Sequence, residues 1–287
     1  MHEAFAEQYL RRETQGTQAR AWKGLASGST AEEVAKAALA RLVYTTDTAE
    51  AMHGSDLISE NVPEVIEIKE STYGALSAHA APETIFTSNS STLLPSQFAD
   101  ATGRPERFCA LHFANGIWDA NIGEVMGHPG TKPEVFERVV RFAEEIGMVP
   151  IRCAKEQNGY VINTLLLPWL NAAQTLVTNG VCAQEDVDRA WLICFGLAHS
   201  DKGPLGIMDM IGLGTMETVL AHWGEALPDA QMTANAAHIK SHLVDRGHLG
   251  LRGGDPDKDK ATGFYSYPNP AWKHSDFLES QERAGSK

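Results

Sequence analysis

The sequence predicts an α/β chain in which a parallel sheet with helices on its faces is followed by an all-helical domain. Three observations predict it. Short apolar runs alternate with helical segments over residues 41–153, the rhythm of strand–helix–strand units. Beyond Lys155 the apolar residues recur at helical intervals over long stretches, which puts a domain boundary near residues 152–158 and divides the chain into residues 1–153 and 154–287. A length of 287 residues with 43% hydrophobic content is also enough to bury two cores.

Taken in order, His2 to Ala26 shows a weak helical pattern with Phe5, Tyr9 and Leu10 on one side. T-A-E-E, Thr30 to Glu33, reads as a capping box, and Val34, Ala35, Ala38, Leu39 and Leu42 supply the buried face of the helix it starts. Strands are expected within Arg41–Asp47, Asp56–Val62, Glu83–Asn89 and Arg107–Phe113. Ligands of such sheets bind beyond the carboxyl ends of the strands, and Asn61, Glu64, Asn89, Ser91, His112 and Asn115 all fall at or just after those ends. T-K-P-E, Thr131 to Glu134, reads as a second capping box; Val135, Val139, Phe142 and Ile146 form the stripe of its helix and Gly147 ends it. M-V-P-I-R-C completes the sheet. The second domain is read as helices over Tyr160–Thr178, Glu185–Leu197 and Leu213–Trp223, with loop and extended chain after Gly247.

Charge and cysteine usage exclude several classes of function. A net charge of −13 argues against a non-specific nucleic-acid binder or a basic membrane-surface patch. Cys109, Cys153, Cys182 and Cys194 form no C-x-x-C pair and lie in apolar runs, so all four read as reduced core residues. The N-terminal residues have neither the pattern of a secretory signal nor that of a membrane anchor, and no run approaches the roughly 18 apolar residues of a bilayer span. The expected location is cytoplasmic.

Four residues draw attention as chemistry. His112 follows F-C-A-L and, alone, reads as a core histidine; Glu124 alone reads as a surface carboxylate. Together they suit a general base and the carboxylate that orients it. Ser91, in N-S-S-T, is either a turn residue or a hydroxyl that bonds a substrate oxygen. No G-x-S-x-G elbow surrounds any serine, which disfavours a Ser-His-Glu hydrolase. The Asn163 amide stands in an otherwise apolar helix and needs a polar partner, whether side chain, water or ligand. His238 and His242, at i and i+4, lack an indicated third ligand and read as a solvated helix face.

The series T-I-F-T-S-N-S-S, G-R-P-E-R-F-C-A-L-H-F-A-N, G-E-V-M, N-G-Y-V-I-N-T-L-L-L-P-W-L and K-G-P-L-G-I-M-D-M-I-G-L resembles the NAD-dependent 3-hydroxyacyl-CoA dehydrogenase family, especially its bacterial 3-hydroxybutyryl-CoA dehydrogenase type, over about residues 30–225. The resemblance implies oxidation of a (3S)-hydroxyacyl-CoA to the 3-ketoacyl-CoA with NAD. It implies His112 as base, Glu124 as its orienting carboxylate, and Ser91 and Asn163 as holders of the substrate oxygen. Glu64 and Lys69 match positions near the cofactor ribose, and Asn89 and Asn115 match contacts near the nicotinamide. It further implies a homodimer through the helical domain. The family's opening strand and G-x-G-x-x-G turn have no counterpart in the sequence, and G-G-D-P-D-K-D-K interrupts its glycine-rich segment before G-F-Y. The expected fold is therefore an N-terminally truncated Rossmann-type parallel sheet followed by an all-α C-terminal domain. The alternatives are a non-catalytic remnant that serves as a dimerisation or acyl-CoA-binding module, and a sister dehydrogenase of a small 3-hydroxy acid.

Overall fold

The computed structural model describes residues 33, 36–37, 39–114, 117, 120–197, 203–226, 229–252 and 260–274. The chain falls into two compact units, Met1–Asn171 and Ala172–Lys287. Among the described residues no helix is long and apolar enough to cross a membrane.

Unit one is built on a five-stranded sheet in the order β1 (Leu57–Glu60), β2 (Ile85–Ser88), β3 (Phe108–Phe113), β4 (Ile122–Met126), β5 (Val149–Cys153). β1, β2 and β3 run parallel, β4 runs antiparallel to β3, and β5 runs parallel to β4. Three of the expected strands and M-V-P-I-R-C appear within their bounds, whereas β4 is an addition. The run Arg41–Asp47 forms no strand: Val43 is 77% exposed, and no described strand pairs with it. Leu42, expected on a buried helix face, is likewise exposed. His2–Ala26 and Thr30–Glu32 lie outside the described residues.

Period-two alternation along the strands makes two cores. Ile85, Cys109, Leu111 and Val125 face one side and pack on Val135, Val139, Val140 and Ala143 of the helix Pro133–Glu145. Ile58, Phe86 and Phe108 face the other with Phe98 and Tyr73, the latter from the helix Ile66–Ser77. Tyr73 makes ring contacts with Phe86, Phe98 and Phe108. In chain order, Thr48–Met52 is α1, Ile66–Ser77 is α2 and Pro133–Glu145 is α3. The capping box expected at the start of α3 does not form. The Thr131 hydroxyl donates to Phe108 O and accepts from His128 N, so it closes a turn against β3 while Lys132 takes the cap position. Gly147 ends the helix region at φ +83° as expected.

α4 (Ile162–Thr178) carries Pro168 inside it and runs from the end of unit one into unit two. Unit two continues with α5 (Gln184–Trp191), a π-helical turn over Leu192–Leu197, α6 (Pro204–Ile211), α7 (Leu213–Ala226) and α8 (Ala230–His242). α6 and α8 extend the expected helical set. Gly224 allows α7 and α8 to approach, since a Cβ there would lie 2.6 Å from Thr233 Oγ1. The buried Asp209 of α6 ties down the segment that follows α8: it accepts from Phe264 N, Tyr265 N and the Tyr267 hydroxyl. All four cysteines are free, but only Cys109 is fully buried; Cys194 is exposed on the π turn.

Candidate active site

His112 and Glu124 lie on adjacent antiparallel strands, at positions directly opposite each other in the register of β3 and β4. They are strand residues, not loop residues. Alternation turns both to the face opposite α3, where Ala110, Met126 and Tyr160 pack together. The His112 Nδ1 to Glu124 Oε2 distance is 2.7 Å, and the Glu124 carboxylate is completely buried. Its other oxygen accepts from Val161 N at 2.8 Å and Ile162 N at 2.9 Å, two amides left open at the start of α4. The start of a helix suits a carboxylate, and both oxygens of Glu124 have partners. With Nδ1–H donated to a carboxylate, the imidazole keeps its lone pair on Nε2.

The chain reaches that position through a backbone turn. Gly159 has φ +76°, and Tyr160, the only non-glycine residue at positive φ among the described residues, has φ +54°. Tyr160 is 1% exposed, and its ring lies 5.0 Å from that of His112. Its hydroxyl has no hydrogen-bond partner among the described residues. Burial and the charges of Glu64 and Glu124 push that phenol above its ordinary range. The first turn of α4 also carries Asn163, whose Nδ2 donates to Ser91 O at 2.9 Å.

A cleft of about 400 Å³ opens beyond the carboxyl ends of β1 and β2, lined by Asn61, Val62, Glu64, Lys69, Asn89, Ser91 and Thr92. Ser91 is exposed at its edge. Asn89 bridges two strand ends: its Nδ2 donates to Asn61 Oδ1 and its Oδ1 accepts from Phe113 N, each at 2.8 Å. Asn115 lies outside the described residues. Lys69 is buried beneath the cleft and meets Glu60 and Glu64 at 3.0 and 3.2 Å. Burial pulls the Glu64 carboxyl upward, but hydrogen bonds from Ser90, Thr92 and Lys69 outweigh it and hold the group down at about 2. His238 and His242 stack 4.2 Å apart, and no group of three possible metal ligands exists among the described residues.

Glu60, Ser90 and Tyr160 were not legible as site residues. A signal for the first did exist: Lys69 and Tyr73 share a helix face whose next member is Leu76, so the lysine occupies a core position and requires a buried carboxylate.

A polar cleft at the carboxyl ends of parallel strands, beside a histidine backed by a buried carboxylate, is the arrangement of a dinucleotide-dependent dehydrogenase. Comparison with known proteins agrees. Residues 2–157 match the profile of the 3-hydroxyacyl-CoA dehydrogenase NAD binding domain, and residues 159–267 match that of the 3-hydroxyacyl-CoA dehydrogenase C-terminal domain. The chain is 33% identical over 237 residues to the mitochondrial hydroxyacyl-coenzyme A dehydrogenase of Rattus norvegicus, covering 83% of this chain and 72% of that one. It is 31% identical over 229 residues to a probable 3-hydroxybutyryl-CoA dehydrogenase of Deinococcus radiodurans, covering 80% and 77%. A solved diketoreductase structure, described by its catalysis on dicarbonyl compounds, shows 38% identity and a TM-score of 0.60 over 92% of this chain and 85% of that one. The chain belongs to the 3-hydroxyacyl-CoA dehydrogenase family of oxidoreductases, with a Rossmann-type NAD-binding domain followed by a helical C-terminal domain. NAD is its cofactor. The amides of Asn61 and Asn89 and the hydroxyls of Ser91 and Thr92 in the cleft supply donors and acceptors of the kind that the carboxamide and sugar hydroxyls of that molecule take.

Proposed function

We propose that the chain interconverts (3S)-3-hydroxyacyl-CoA and 3-ketoacyl-CoA in short-chain acyl-CoA and fatty-acid metabolism, with residues 1–153 binding NAD and residues 154–287 forming the helical domain. The observation that carries this reading is the His112–Glu124 pair. Its buried carboxylate accepts from two backbone amides and lies 2.7 Å from His112 Nδ1, an arrangement that suits an imidazole protonated at Nδ1 and able to take a proton at Nε2. In the forward direction His112 removes the proton of the substrate hydroxyl; in reverse it returns that proton to the forming alkoxide. Ser91 and Asn163 hold the substrate oxygen, a role supported by the hydrogen bond that already joins them. Asn89 and Asn115 contact the nicotinamide end. When bound, NAD accepts or donates the hydride at the substrate carbon.

The test is NADH oxidation with acetoacetyl-CoA. His112→Ala is expected to lower kcat by about 10²–10⁴-fold, the usual range for a lost general base, with NADH affinity nearly unchanged. Full turnover in that variant removes the assignment. The 38% identity to a diketoreductase supports a second reading, reduction of a small dicarbonyl compound without a CoA handle. Turnover of a free 3-ketoacid or diketoester at a higher kcat/KM than acetoacetyl-CoA would establish it. We also propose a homodimer through the helical domain, supported by the exposure of Val181, Leu192, Ile193 and Trp223; sedimentation as a monomer at micromolar concentration contradicts it.

A further inference from the structure

The resemblance implies a place beside a cofactor ribose for Glu64 and Lys69, and both line the cleft; each also has partners within the protein. The Lys69 side chain is 1% exposed, and its ammonium lies 3.0 and 3.1 Å from the two Glu60 oxygens and 3.2 Å from Glu64 Oε2. An ammonium has three donors, and these three oxygens take them. Behind it, Glu60 is fixed by the Tyr73 hydroxyl at 3.0 Å, Ser88 Oγ at 2.8 Å and Val62 N at 2.6 Å. Lys69 is therefore anchored from the core side, and Glu64 is its outward contact.

The remaining oxygen of Glu64 gathers a whole turn. Oε1 accepts from Ser90 Oγ, from Ser91 N at 3.2 Å, from Thr92 N at 3.1 Å and Thr92 Oγ1 at 3.0 Å, and from Leu93 N at 3.4 Å. Consecutive backbone amides converging on one anion form a rigid concavity. The residue in its middle is Ser91, whose carbonyl in turn receives the Asn163 amide. The hydrogen bonds run without a gap from Glu60 through Lys69 and Glu64 to Ser91 and Asn163.

We propose that Glu64, locked by Lys69 and Glu60, is a positioning residue that fixes the Ser91 hydroxyl and the Asn163 amide where the substrate oxygen is held. The catalytic consequence rests on the reading of Ser91 given above. Misplacing a substrate-holding group by about 1 Å costs on the order of 10²-fold in rate, so an anchor of this kind is worth conserving charge for.

The experiment compares the whole chain with Glu64→Gln, Ser91→Ala and the double variant, reading amide exchange, NADH affinity and kcat/KM for acetoacetyl-CoA. In Glu64→Gln an amide NH₂ must face either Lys69 or the turn, so donors meet donors. Exchange at Ser91, Thr92 and Leu93 is expected to accelerate by about 10-fold or more while α3 stays protected, because the lost bonds are local. kcat/KM should fall by about 10–100-fold, and the double variant should lose no more than the worse single one, as groups acting through one another are non-additive. Glu64→Asp, which keeps the charge, should recover part of the loss, and Thr92→Val, which removes one hydroxyl donor to Oε1 and leaves the carboxylate in place, should loosen the turn to a smaller degree. Unchanged exchange in Glu64→Gln overturns the proposal. So does weakened NADH binding with losses that add to those of Ser91→Ala, the result of a direct cofactor contact. A fully active Ser91→Ala beside faster turn exchange in Glu64→Gln instead overturns the reading of Ser91 and the catalytic consequence with it, leaving the anchor alone.

Discussion

Replacing Glu124 with glutamine tests the pair at the centre of the site, because the two residues are nearly isosteric and differ in hydrogen-bond capacity. Glu124 accepts on both oxygens: His112 Nδ1–H on one, Val161 N–H and Ile162 N–H on the other. Glutamine has one acceptor oxygen and one donor NH₂. If the oxygen faces Val161 and Ile162, the NH₂ faces His112, which must then turn Nδ1 into an acceptor and carry its proton on Nε2, the wrong tautomer for a base. If the oxygen faces His112, the NH₂ opposes two backbone amides in a site that is completely buried. The first outcome is the cheaper, since leaving buried donors unsatisfied costs about 1–3 kcal/mol. A comparable amide substitution behind the histidine of serine proteases lowers kcat by about 10⁴-fold through the tautomer alone. We expect kcat for NADH-dependent reduction of acetoacetyl-CoA to fall by about 10²–10⁴-fold, or roughly 3–5 kcal/mol of barrier, with KM changed far less. The melting temperature should move by only a few degrees. A Glu124→Gln enzyme that retains wild-type kcat would refute the assignment of tautomer control to this carboxylate.

Four further outcomes follow from the same geometry. Lys69→Met leaves two carboxylates facing each other in the protein and should cost about 3–5 kcal/mol in urea denaturation, the usual range for a broken buried pair; a loss below about 1 kcal/mol would place the lysine in solvent. Glu64, held at about 2 against an ordinary 4.5, binds its proton less readily folded than unfolded. Its contribution is present above about pH 4.5 and disappears as pH falls towards 2, so Glu64→Gln should flatten the acid limb of the stability curve, and an unchanged limb counts against the anchor. Gly159→Ala combines φ +76° with a Cβ 3.1 Å from that of Asn163, and is expected to lose at least about 1 kcal/mol and raise KM, a neutral effect contradicting the turn described here. Burial pushes the Cys109 thiol up to about 12, so it should resist alkylation in the native protein at neutral pH and react only after denaturation.

Much of unit one was legible because its elements follow local rules. β1, β2, β3 and β5 are short apolar runs between turn signals, and α3 repeats its apolar residues at helical intervals. What escaped was set by distant parts of the chain. In I-G-E-V-M a carboxylate stands where alternation requires a buried residue, so the segment did not read as a strand. It is one because α4 brings two free amides to Glu124 from 37 and 38 residues away. Arg41–Asp47 shows the converse, since its apolar run has strand character and no described strand beside it. The Thr131 capping box failed for a related reason, as β3 offered its hydroxyl a carbonyl that competed with the helix start.

The exceptions share a chemistry. Glu60, Lys69 and Glu124 are each charged and almost fully buried, and each violates the pattern of the element that carries it. An isolated buried charge costs several kcal/mol, so such positions persist only where partners from elsewhere in the fold complete their shells. Here the partners come from the buried face of α2, the ends of strands and the first turn of α4, and Ser91, His112 and Asn163 project from the last two of these places. Violations of local pattern therefore coincide with the candidate site, as expected where rigidity around a few groups has been favoured over the stability of a plain apolar core. The sheet holds His112 opposite Glu124, and the buried lysine holds Glu64 against the Ser91 turn. Both devices act on positions that a proton-transfer site requires to be fixed before substrate arrives.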